Sequence, residues 1–420
     1  YFYNQGSGIL FKSDDDGASY QVLFSNVTNP GMFLILNSFD NRPFVTELDN
    51  GEILFQSRQR TGTAEVDKKT FYTLWRTSAN QTVAHKCFMF SNQSYLKSGV
   101  HQYSTGCQLS NWTCDHRGAM IFVTEYGEGN PQYWDSQGQV KNGNGVSGRV
   151  WVSLDYGITW KKIFDADRKK SGTDATNLNW YYFRSTQARM YCHMHTIHID
   201  RIRNRVWLAC GDNYTQMWNL SLNDVTFWYS TAPSVNPEEF PVYSTADTFP
   251  DWTAADHRPL TDGNVPFFLS SSHIQVVRIY SIGTMLILGH DQPREFAMGL
   301  MDNENMFTST PTIDLTYRFE NRNDYASQED FENAFKTTDG FVQDIFRENE
   351  SKPIHLVHTG PVRRIYATYD NINFLTVLED RNSRTGFGTK LLDHNGKKYM
   401  STYIGEQSNV GGFYRVTEVN

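Results

Sequence analysis

The feature that most constrains the fold of this chain is a short turn motif that occurs twice in full. Residues 13–20 and 153–160 both fit the pattern Ser-x-Asp-x-Gly-x-x-aromatic. In such a segment the aspartate can accept backbone N–H bonds across a tight turn, the glycine can adopt a positive φ, and the aromatic residue can pack beneath the turn. The motif therefore predicts a hairpin turn with a structural rather than a catalytic role.

Weaker copies of the motif recur at a nearly constant spacing. They begin at residues 78, 221, 300 and 368, so successive copies are 65, 75, 68, 79 and 68 residues apart. The copy at 221 has Asn223 in place of the aspartate and Trp228 at the aromatic position. The path from residue 368 through the end of the chain at 420 and back to residue 13 is again 65 residues. Six similar intervals predict six similar structural units.

The segments between these turns have the pattern of β-strands. Short apolar or alternating runs are bounded by Gly, Asn and Asp, and helical periodicity is almost absent. The sequence therefore predicts an all-β fold. The predicted strands are 8–13, 20–25, 32–39, 52–57, 71–76, 119–125, 149–153, 196–200, 205–209, 276–280 and 285–288.

The turn motif resembles the Asp box, also called the bacterial neuraminidase repeat, of sialidase-like β-propellers. This resemblance implies a six-bladed β-propeller in which each box lies between the third and fourth strands of a blade. A long, poorly patterned segment at 308–355 leaves seven blades open. The N-terminal strands would share a blade with 398–404 and 412–419, so that pairing of the N- and C-terminal strands closes the ring. Residues 1–420 would then form a single β-propeller domain.

The block 125–291 is similar to uncharacterised bacterial and phage-borne members of this superfamily. There a Glu-Tyr-Gly segment, an Asp box, a His-x-His strand, a Gly-Asp end and a Gly-x-Asp end follow one another in the order found here. True sialidases also carry an Arg-Ile-Pro segment near the start, which this chain lacks. Sialidase activity is therefore not expected.

Charge and hydropathy argue against two classes of partner. The chain has 38 Lys and Arg against 46 Asp and Glu, a net charge of −8, so we expect no nucleic-acid partner. No window approaches the roughly 18 continuous apolar residues that a membrane helix needs, so we expect no membrane insertion. Two of the five cysteines, Cys107 and Cys114, are close enough to close a small loop in an oxidising compartment.

The long polar loops are expected at the sheet ends opposite the box turns. In a four-stranded blade, the connections from the second to the third strand and from the fourth to the first both emerge there. We expect these loops to carry the function. The second-to-third loops are 57–70, 127–148, 212–217 and 290–295.

The segment 192–212 contains the most informative group of polar residues. It has the pattern of a hairpin that turns at 201–204. A register in which paired residue numbers sum to 405 brings apolar residues together and opposite charges together. The pairs in this register are Ile199 with Val206, Ile197 with Leu208, Asp200 with Arg205, His198 with Trp207, His195 with Cys210 and His193 with Asp212.

His193, His195, Cys210 and Asp212 would then share one face near the functional loops. Imidazoles, a thiol and a carboxylate suit zinc or another divalent metal, and they equally suit a histidine acid/base held by a carboxylate. Hydrogen bonding without chemistry is the third interpretation, so no cofactor is assigned. His198, opposite Trp207, is interpreted as a packing residue.

Polar residues also come after two other second strands. Glu125 and Tyr126 come after an Ile-Phe-Val run, and His290 and Asp291 come after a Leu-Ile-Leu run. Glu125, Asp212 and Asp291 could supply the two carboxylates that a glycosidase needs. Together with the two histidines as acid/base groups, the predicted catalytic residues are Glu125, His193, His195, Asp212 and Asp291. Aromatic rings can stack on sugars, and Arg278 can bind an anionic group. The predicted substrate-binding residues are Tyr126, Trp134, Trp180, Tyr181, Arg278 and His290.

These features predict a propeller at the cell surface, on a virion or outside the cell. We expect it to recognise a glycan and to cleave it as a glycoside hydrolase or a polysaccharide lyase. The alternative is a non-catalytic host-surface binding module, such as a phage tail or surface-filament subunit, whose loops serve attachment within a larger assembly.

Overall fold

The computed structural model describes about half of the chain, and the structural statements below concern those residues. They are 2–4, 9–15, 18–25, 32–34, 44–61, 69–78, 84–89, 95–97, 100–102, 113–124, 132–134, 140–142, 149–165, 194–210, 216–237, 249–250, 252–254, 276–282, 285–290, 298–302, 313–317, 327, 341–346, 351, 353–359, 363–369, 375–380, 391–394, 397–403 and 411–416.

Internal contacts divide the chain into two compact units. Unit 1 comprises 1–211 and 218–253, and unit 2 comprises 212–217 and 254–420. Within the ranges given above, the regular secondary structure is β-strand apart from one α-helix. The predicted all-β class is therefore confirmed, whereas a single propeller domain over 1–420 stays a prediction. No described helix is long and apolar enough to cross a membrane.

Four antiparallel sheets belong mainly to unit 1. Sheet 1 has the order β1-β2-β3, with β1 at Phe2–Asn4, β2 at Ile9–Lys12 and β3 at Gln21–Ser25. Sheet 2 has β4 at Met32–Leu34 and β5 at Val45–Glu47, both paired with β6 at Glu52–Thr61, followed by β7 at Lys69–Ser78 and β8 at His85–Met89. A separate hairpin is formed by β9 at Tyr95–Lys97 and β10 at Val100–Gln102.

Sheets 3 and 4 each have four strands in simple up-and-down order, which is the arrangement of a propeller blade. Sheet 3 comprises β11 at Cys114–Arg117, β12 at Met120–Thr124, β15 at Arg149–Ser153 and β16 at Lys161–Asp165. The hairpin of β13 at Gln132–Trp134 and β14 at Val140–Asn142 is inserted between β12 and β15. Sheet 4 comprises β17 at Met194–Asp200, β18 at Arg205–Cys210, β19 at Gln216–Ser221 and β20 at Thr253–Ala254, with helix α1 at Leu222–Thr231 between the last two.

Unit 2 contains three further antiparallel sheets. Sheet 5 comprises β21 at Val276–Ile282, β22 at Met285–His290, β23 at Met298–Asp302 and β24 at Ile313–Tyr317. Sheet 6 comprises β25 at Phe341–Phe346, β26 at Ile354–Thr359, β27 at Arg363–Thr368 and β28 at Leu375–Asp380. Sheet 7 comprises β29 at Leu391–His394, β30 at Lys397–Tyr403 and β31 at Gly411–Val416.

The core of unit 1 includes aromatic contacts between successive sheets. The ring of Phe88 on β8 lies 4.7 Å from that of Trp151 on β15 and 5.2 Å from that of Trp160, which precedes β16. All three side chains are buried. Every residue of β15 is buried as well, as expected of a strand covered on both faces.

Both complete copies of the turn motif use the same hydrogen bonds. The backbone N of Ser19 donates to Oδ1 of Asp15 at 2.7 Å, and that of Thr159 donates to Oδ1 of Asp155 at 2.9 Å. In the second copy Gly157 has a φ of +82°, a conformation that favours glycine. The indole of Trp160, buried beneath this turn, donates to the carbonyl oxygen of Gly157 at 2.9 Å. The predicted geometry of the second turn is therefore confirmed.

The predicted repeat spacing matches the strands of six sheets. The last strand but one of each sheet ends within two residues of a predicted motif position. These ends are Lys12, Ser78, Ser153, Ser221, Asp302 and Thr368 for β2, β7, β15, β19, β23 and β27. The spacing therefore reflects a real structural repeat, and the number of blades stays a prediction.

A β-bulge in the last strand gives independent evidence for the repeat. In five sheets the pairing of the last two strands skips one residue of the outer strand. The skipped residues are Leu23, Cys87, Ile163, Asp314 and Val377. The common bulge shows that these sheets are built to one plan.

The structure differs from the sequence-based map at three places. The segment from Ser221 forms the N-cap of α1 rather than a hairpin turn, so Trp228 lies in a helix. The predicted loop 57–70 is partly strand, because β6 and β7 stay paired as far as Thr61 and Lys69. The neighbour of β2 is β1 of the N-terminal segment itself.

Two further expectations about the ring stay predictions. In the ranges that the structure covers, the N-terminal strands of sheet 1 and the C-terminal strands of sheet 7 occur in separate sheets, so closure of a ring by their pairing is not established. The segment 308–355 supplies β24 to sheet 5 and β25 to sheet 6, so its described part belongs to those two sheets.

Candidate functional site

The candidate site is expected where the second strands of the sheets end, which we call the loop end. In sheets 3, 4 and 5 these strands end at Thr124, Cys210 and His290. Glu125 and Asp291 directly follow two of these ends in the chain, and Asp212 comes two residues after the third. The structure thus confirms the strands that precede the predicted carboxylates.

Most of the predicted site residues lie outside the described residues, and their roles stay predictions. This group comprises Glu125, Tyr126, Trp180, Tyr181, His193, Asp212 and Asp291. The structure describes the backbone positions of Trp134, His195, Cys210, Arg278 and His290.

The hairpin of β17 and β18 has the predicted register over most of its length. Ile199 pairs with Val206, His198 pairs with Trp207, and the turn lies at 201–204. The prediction fails at the loop end, where Met194 rather than His195 pairs with Cys210. The cause is a bulge at His195, because an extra residue shifts the strand by one position.

The same kind of bulge recurs on the first strand of the next two sheets. The pairing of β21 with β22 skips Val277, and the pairing of β25 with β26 skips Gln343. Each bulge lies near the loop end of its sheet, as the bulge at His195 does. Bulges are frequent beside active sites, where they redirect side chains. The first strands of sheets 4, 5 and 6 therefore share a bulge near the loop end.

His195 is the bulged residue of β17 and Arg278 directly follows the bulged residue of β21, but the two differ in burial. The side chain of His195 is 2 % exposed. Arg278 is partly buried, and its backbone pairs with Gly289 next to the end of β22. An exposed guanidinium edge can bind an anionic group, whereas a buried imidazole needs a ligand or a partner at close range.

The long second-to-third connection of sheet 3 is itself partly a hairpin. Trp134 lies on β13 and pairs with Val140 on β14. This connection leaves β12 at the loop end and returns to β15 at the same end. It is the connection that carries the predicted sugar-stacking residue Trp134.

The predicted metal site stays a prediction. Two of its four ligands, His193 and Asp212, fall outside the described residues. Over the part of the chain that the structure describes, His, Cys, Asp and Glu side chains form no group of three with the geometry of a metal site.

The best-defined polar group of unit 1 joins sheet 3 to sheet 4. Asp115 on β11 accepts a hydrogen bond from the backbone N of Ile199 on β17 at 2.8 Å. The same oxygen, Oδ2, lies 3.2 Å from Nδ1 of His198. The side chains of Asp115 and His198 are 17 % and 8 % exposed. A carboxylate and an imidazole therefore meet between the first strands of two neighbouring sheets.

Asp115 is held in its ionised form. Burial opposes ionisation, but the hydrogen bond and charge of His198 outweigh it, and Arg117 and the Ile199 N–H add to the effect. Together they lower the pKa of Asp115 to about 2. Because Asp115 is charged, its contacts to β17 are stronger than those between neutral groups.

The neighbouring residue His116 makes the corresponding link to sheet 2. Its Nδ1 lies 3.4 Å from Oδ1 of Asp49, and its Nε2 lies 3.4 Å from Oγ1 of Thr46. Successive residues of a strand point to opposite faces, which explains why Asp115 reaches sheet 4 while His116 reaches sheet 2. β11 therefore connects three successive sheets.

Asp115 was not among the predicted site residues, and His198 was predicted only to pack. His198 does face Trp207 as predicted, but it also contacts Asp115, 83 residues earlier in the chain. A local pattern does not reveal a partner at that distance. Asp115 lies outside every predicted strand, so the strand pattern gave no signal for it.

Comparisons with known proteins assign no family to the chain. No family model and no curated protein sequence matches it. Similar solved structures include a periplasmic gluconolactonase from Pseudomonas aeruginosa, at 10 % identity and a TM-score of 0.47 over 99 % of this chain and 93 % of that chain. A second is a sialidase from Trypanosoma rangeli, at 10 % identity and a TM-score of 0.37 over 98 % of this chain and 59 % of that chain. A third is a protein of unknown function from Dyadobacter fermentans, at 11 % identity and a TM-score of 0.43 over 91 % of this chain and 98 % of that chain. At these identities and TM-scores the likenesses assign no activity.

Proposed function

We propose that this chain binds a glycan at the loop end of its sheets and cleaves it there by acid/base chemistry. The observation that carries the proposal is the bulge that recurs near this end on β17, β21 and β25. Bulges redirect side chains and are over-represented next to active sites, which supports a role for this end in binding. The protein would act at a cell or virion surface or outside the cell.

The proposed chemistry uses residues at the loop end of sheets 3 and 4. Glu125, which follows β12, would serve as one of the two groups that act on the glycosidic bond. His193 and His195, at the start of β17, would supply or accept the proton at the other side of that bond. Asp212 would hold one imidazole in the required orientation.

Two reaction classes are compatible with these groups, and their products differ. A hydrolase would use Glu125 and Asp212 as its pair of carboxylates and would release a reducing sugar. A lyase would use a histidine as base and Tyr126 as acid, and would release an unsaturated sugar.

Incubation of the protein with a panel of neutral and anionic polysaccharides tests this proposal. Reducing ends report hydrolysis, and ultraviolet absorbance reports unsaturated uronates. Glu125→Gln and His193→Ala are each expected to reduce turnover at least about 100-fold. The matched control is His85→Ala, because His85 is an exposed histidine on the outer strand β8. No turnover by the native chain would contradict cleavage, and unchanged turnover in both site variants would contradict the roles of Glu125 and His193.

The alternative function is attachment to a host glycan without cleavage, within a larger surface assembly. The hairpin of β13 and β14 favours it, because this hairpin lengthens a loop-end connection and carries Tyr133 and Trp134. Binding of labelled polysaccharides to the native chain and to Trp134→Ala tests it. Attachment is supported if Trp134→Ala loses binding while the native chain forms no product. It is wrong if neither protein binds.

A further inference from the structure

Asp115 is the residue through which sheet 3 holds the first strand of sheet 4. Its Oδ2 contacts a backbone N–H and a side-chain nitrogen of two successive residues, Ile199 and His198. A contact to the backbone fixes the position of a strand, and a contact to the side chain fixes the orientation of that residue. Both contacts end on one oxygen, so a single carboxylate oxygen holds the backbone and a side chain of β17.

The two strands that meet at Asp115 lead directly to the proposed catalytic groups. On β17, His195 lies three residues from His198 towards the loop end. On the other side, the backbone N of Thr124 donates to the carbonyl oxygen of Thr113 at 2.7 Å, and Thr113 lies two residues before Asp115. Thr124 directly precedes Glu125. Asp115 therefore lies on one connection between His195 and Thr124, the residue that precedes Glu125 in the chain.

We infer that Asp115 is a positioning residue that fixes His195 on β17 relative to β12, the strand that precedes Glu125 in the chain. This inference rests on the proposed function, because it assigns catalysis to those groups. A displacement of about 1 Å between reacting groups can reduce the rate about 100-fold, so the link need not be close to the substrate to control the reaction.

The remaining contacts of Asp115 keep its carboxylate in place. The backbone N of His116 donates to Oδ1 at 2.9 Å, and Nη2 of Arg117 lies 4.0 Å from the same oxygen. Residues of β11 therefore hold Oδ1 of Asp115, while Oδ2 contacts β17. This division leaves the carboxylate little freedom to rotate away from β17.

The test compares Asp115→Asn with His116→Gln. Asparagine keeps the shape and one acceptor oxygen but removes the charge. His116→Gln is the matched control, because it weakens a contact of the same strand to sheet 2, at 3.4 Å against 3.2 Å between Asp115 and His198. Both variants are expected to lower the unfolding temperature. Asp115→Asn alone is expected to reduce kcat about 10- to 100-fold, with KM changed less than about twofold.

A second variant separates positioning from general loss of stability. His198→Gln removes the imidazole but leaves the bond from Ile199 to Asp115, so kcat is expected to fall less than in Asp115→Asn. If Asp115→Asn does not fold, the His198→Gln variant still tests the contact between β11 and β17. Equal kcat losses in Asp115→Asn and His116→Gln, or an unchanged kcat in both Asp115→Asn and His198→Gln, would overturn the positioning role.

A measurement without substrate distinguishes this inference from the proposed function. In protein labelled with ¹⁵N at histidine, the imidazole signals of His195, assigned through His195→Gln, are expected to shift in Asp115→Asn and to stay in place in His116→Gln. A native chain that turns over no polysaccharide would refute the cleavage proposal and leave this comparison intact. Unmoved His195 signals in Asp115→Asn would refute the positioning role alone.

Discussion

Asp155 and Thr159 are joined by two hydrogen bonds across the turn between β15 and β16. The backbone N of Thr159 donates to Oδ1 of Asp155 at 2.9 Å, and its hydroxyl donates to Oδ2 at 2.6 Å. Burial opposes ionisation of Asp155, but these bonds outweigh it and lower its pKa. Asp15 and Ser19 repeat the arrangement at 2.7 and 2.6 Å, in an exposed turn. The two copies share these two bonds and differ in burial.

This difference predicts unequal effects of one substitution at two equivalent sites. Asp155→Ala is expected to reduce the free energy of unfolding by about 2 kcal/mol, because it leaves partly buried donors without an acceptor. Asp15→Ala is the matched control, and its loss is expected to be smaller because water can replace the carboxylate. Urea denaturation measures both. Equal losses would show that burial of the turn does not matter.

The contact of Asp115 with His198 predicts a specific dependence of stability on pH. The pKa of Asp115 in the folded chain is about 2, below its ordinary value of 3.8. The contact therefore stabilises the fold above about pH 4, and this contribution is lost as the pH falls from about 4 towards 2. A shift of this size corresponds to about 2 kcal/mol. The difference in unfolding free energy between the native chain and Asp115→Asn should therefore shrink over this range.

Chemical denaturation at a series of pH values from 2 to 6 checks this expectation. Asp224→Asn is the control, because Asp224 is an exposed aspartate on α1. Its difference from the native chain is expected to stay within about 0.5 kcal/mol at every pH. A gap for Asp115→Asn that is the same at pH 6 and pH 2 would show that the carboxylate charge does not stabilise the link.

The repeat of the sheets could be predicted from sequence because local chemistry sets where strands end. Ser13 and Ser153 begin turns whose hydrogen bonds span only a few residues, so a short pattern captures them. The same reasoning failed at Ser221, and the first bond explains why. In the turn, the backbone N of Asp155 donates to the hydroxyl of Ser153 at 3.3 Å. At the start of α1, the backbone N of Asn223 donates to the hydroxyl of Ser221 at 3.2 Å. The two structures diverge only after this shared step.

The site was less predictable because its geometry depends on one extra residue and on distant partners. Alternation of apolar residues predicted the pairs of Ile199 and His198 correctly, since these lie near the turn of the hairpin. The bulge at His195 leaves no mark in that alternation. The link from Asp115 to β17 joins strands that are far apart in sequence, so a pattern within either strand does not reveal it.

Cys87 is predicted to be unreactive in the folded chain. Burial raises the pKa of its thiol to about 12, although Arg76 opposes the shift. Because the thiolate is the reactive form, its population at pH 8 is about a thousandfold below that of a thiol with the ordinary value of 9.0. Alkylation by iodoacetamide, followed by peptide mass spectrometry, should leave Cys87 unmodified until urea unfolds the protein. Equal labelling rates with and without urea would contradict its burial between sheets 2 and 3.

Lys161 is predicted to hold α1 against sheet 3. It lies at the start of β16, and its Nζ donates to the carbonyl oxygens of Tyr229 and Ala232 at the C-terminal end of the helix. The same ammonium lies 4.3 Å from the centre of the Tyr229 ring. A positive charge at this end of a helix is favourable, because the last carbonyl groups of a helix carry partial negative charge.

Lys161→Met is therefore expected to reduce the free energy of unfolding by about 2 kcal/mol, because buried carbonyl groups lose a charged donor. Lys162→Met is the matched control. It removes the adjacent lysine, whose Nζ lies 5.7 Å from the Phe249 ring, and it is expected to cost about 0.5 kcal/mol. Urea unfolding followed by circular dichroism measures both losses. If Lys162→Met is as destabilising as Lys161→Met, the helix is held by packing of Val225 and Trp228 and not by the ammonium group.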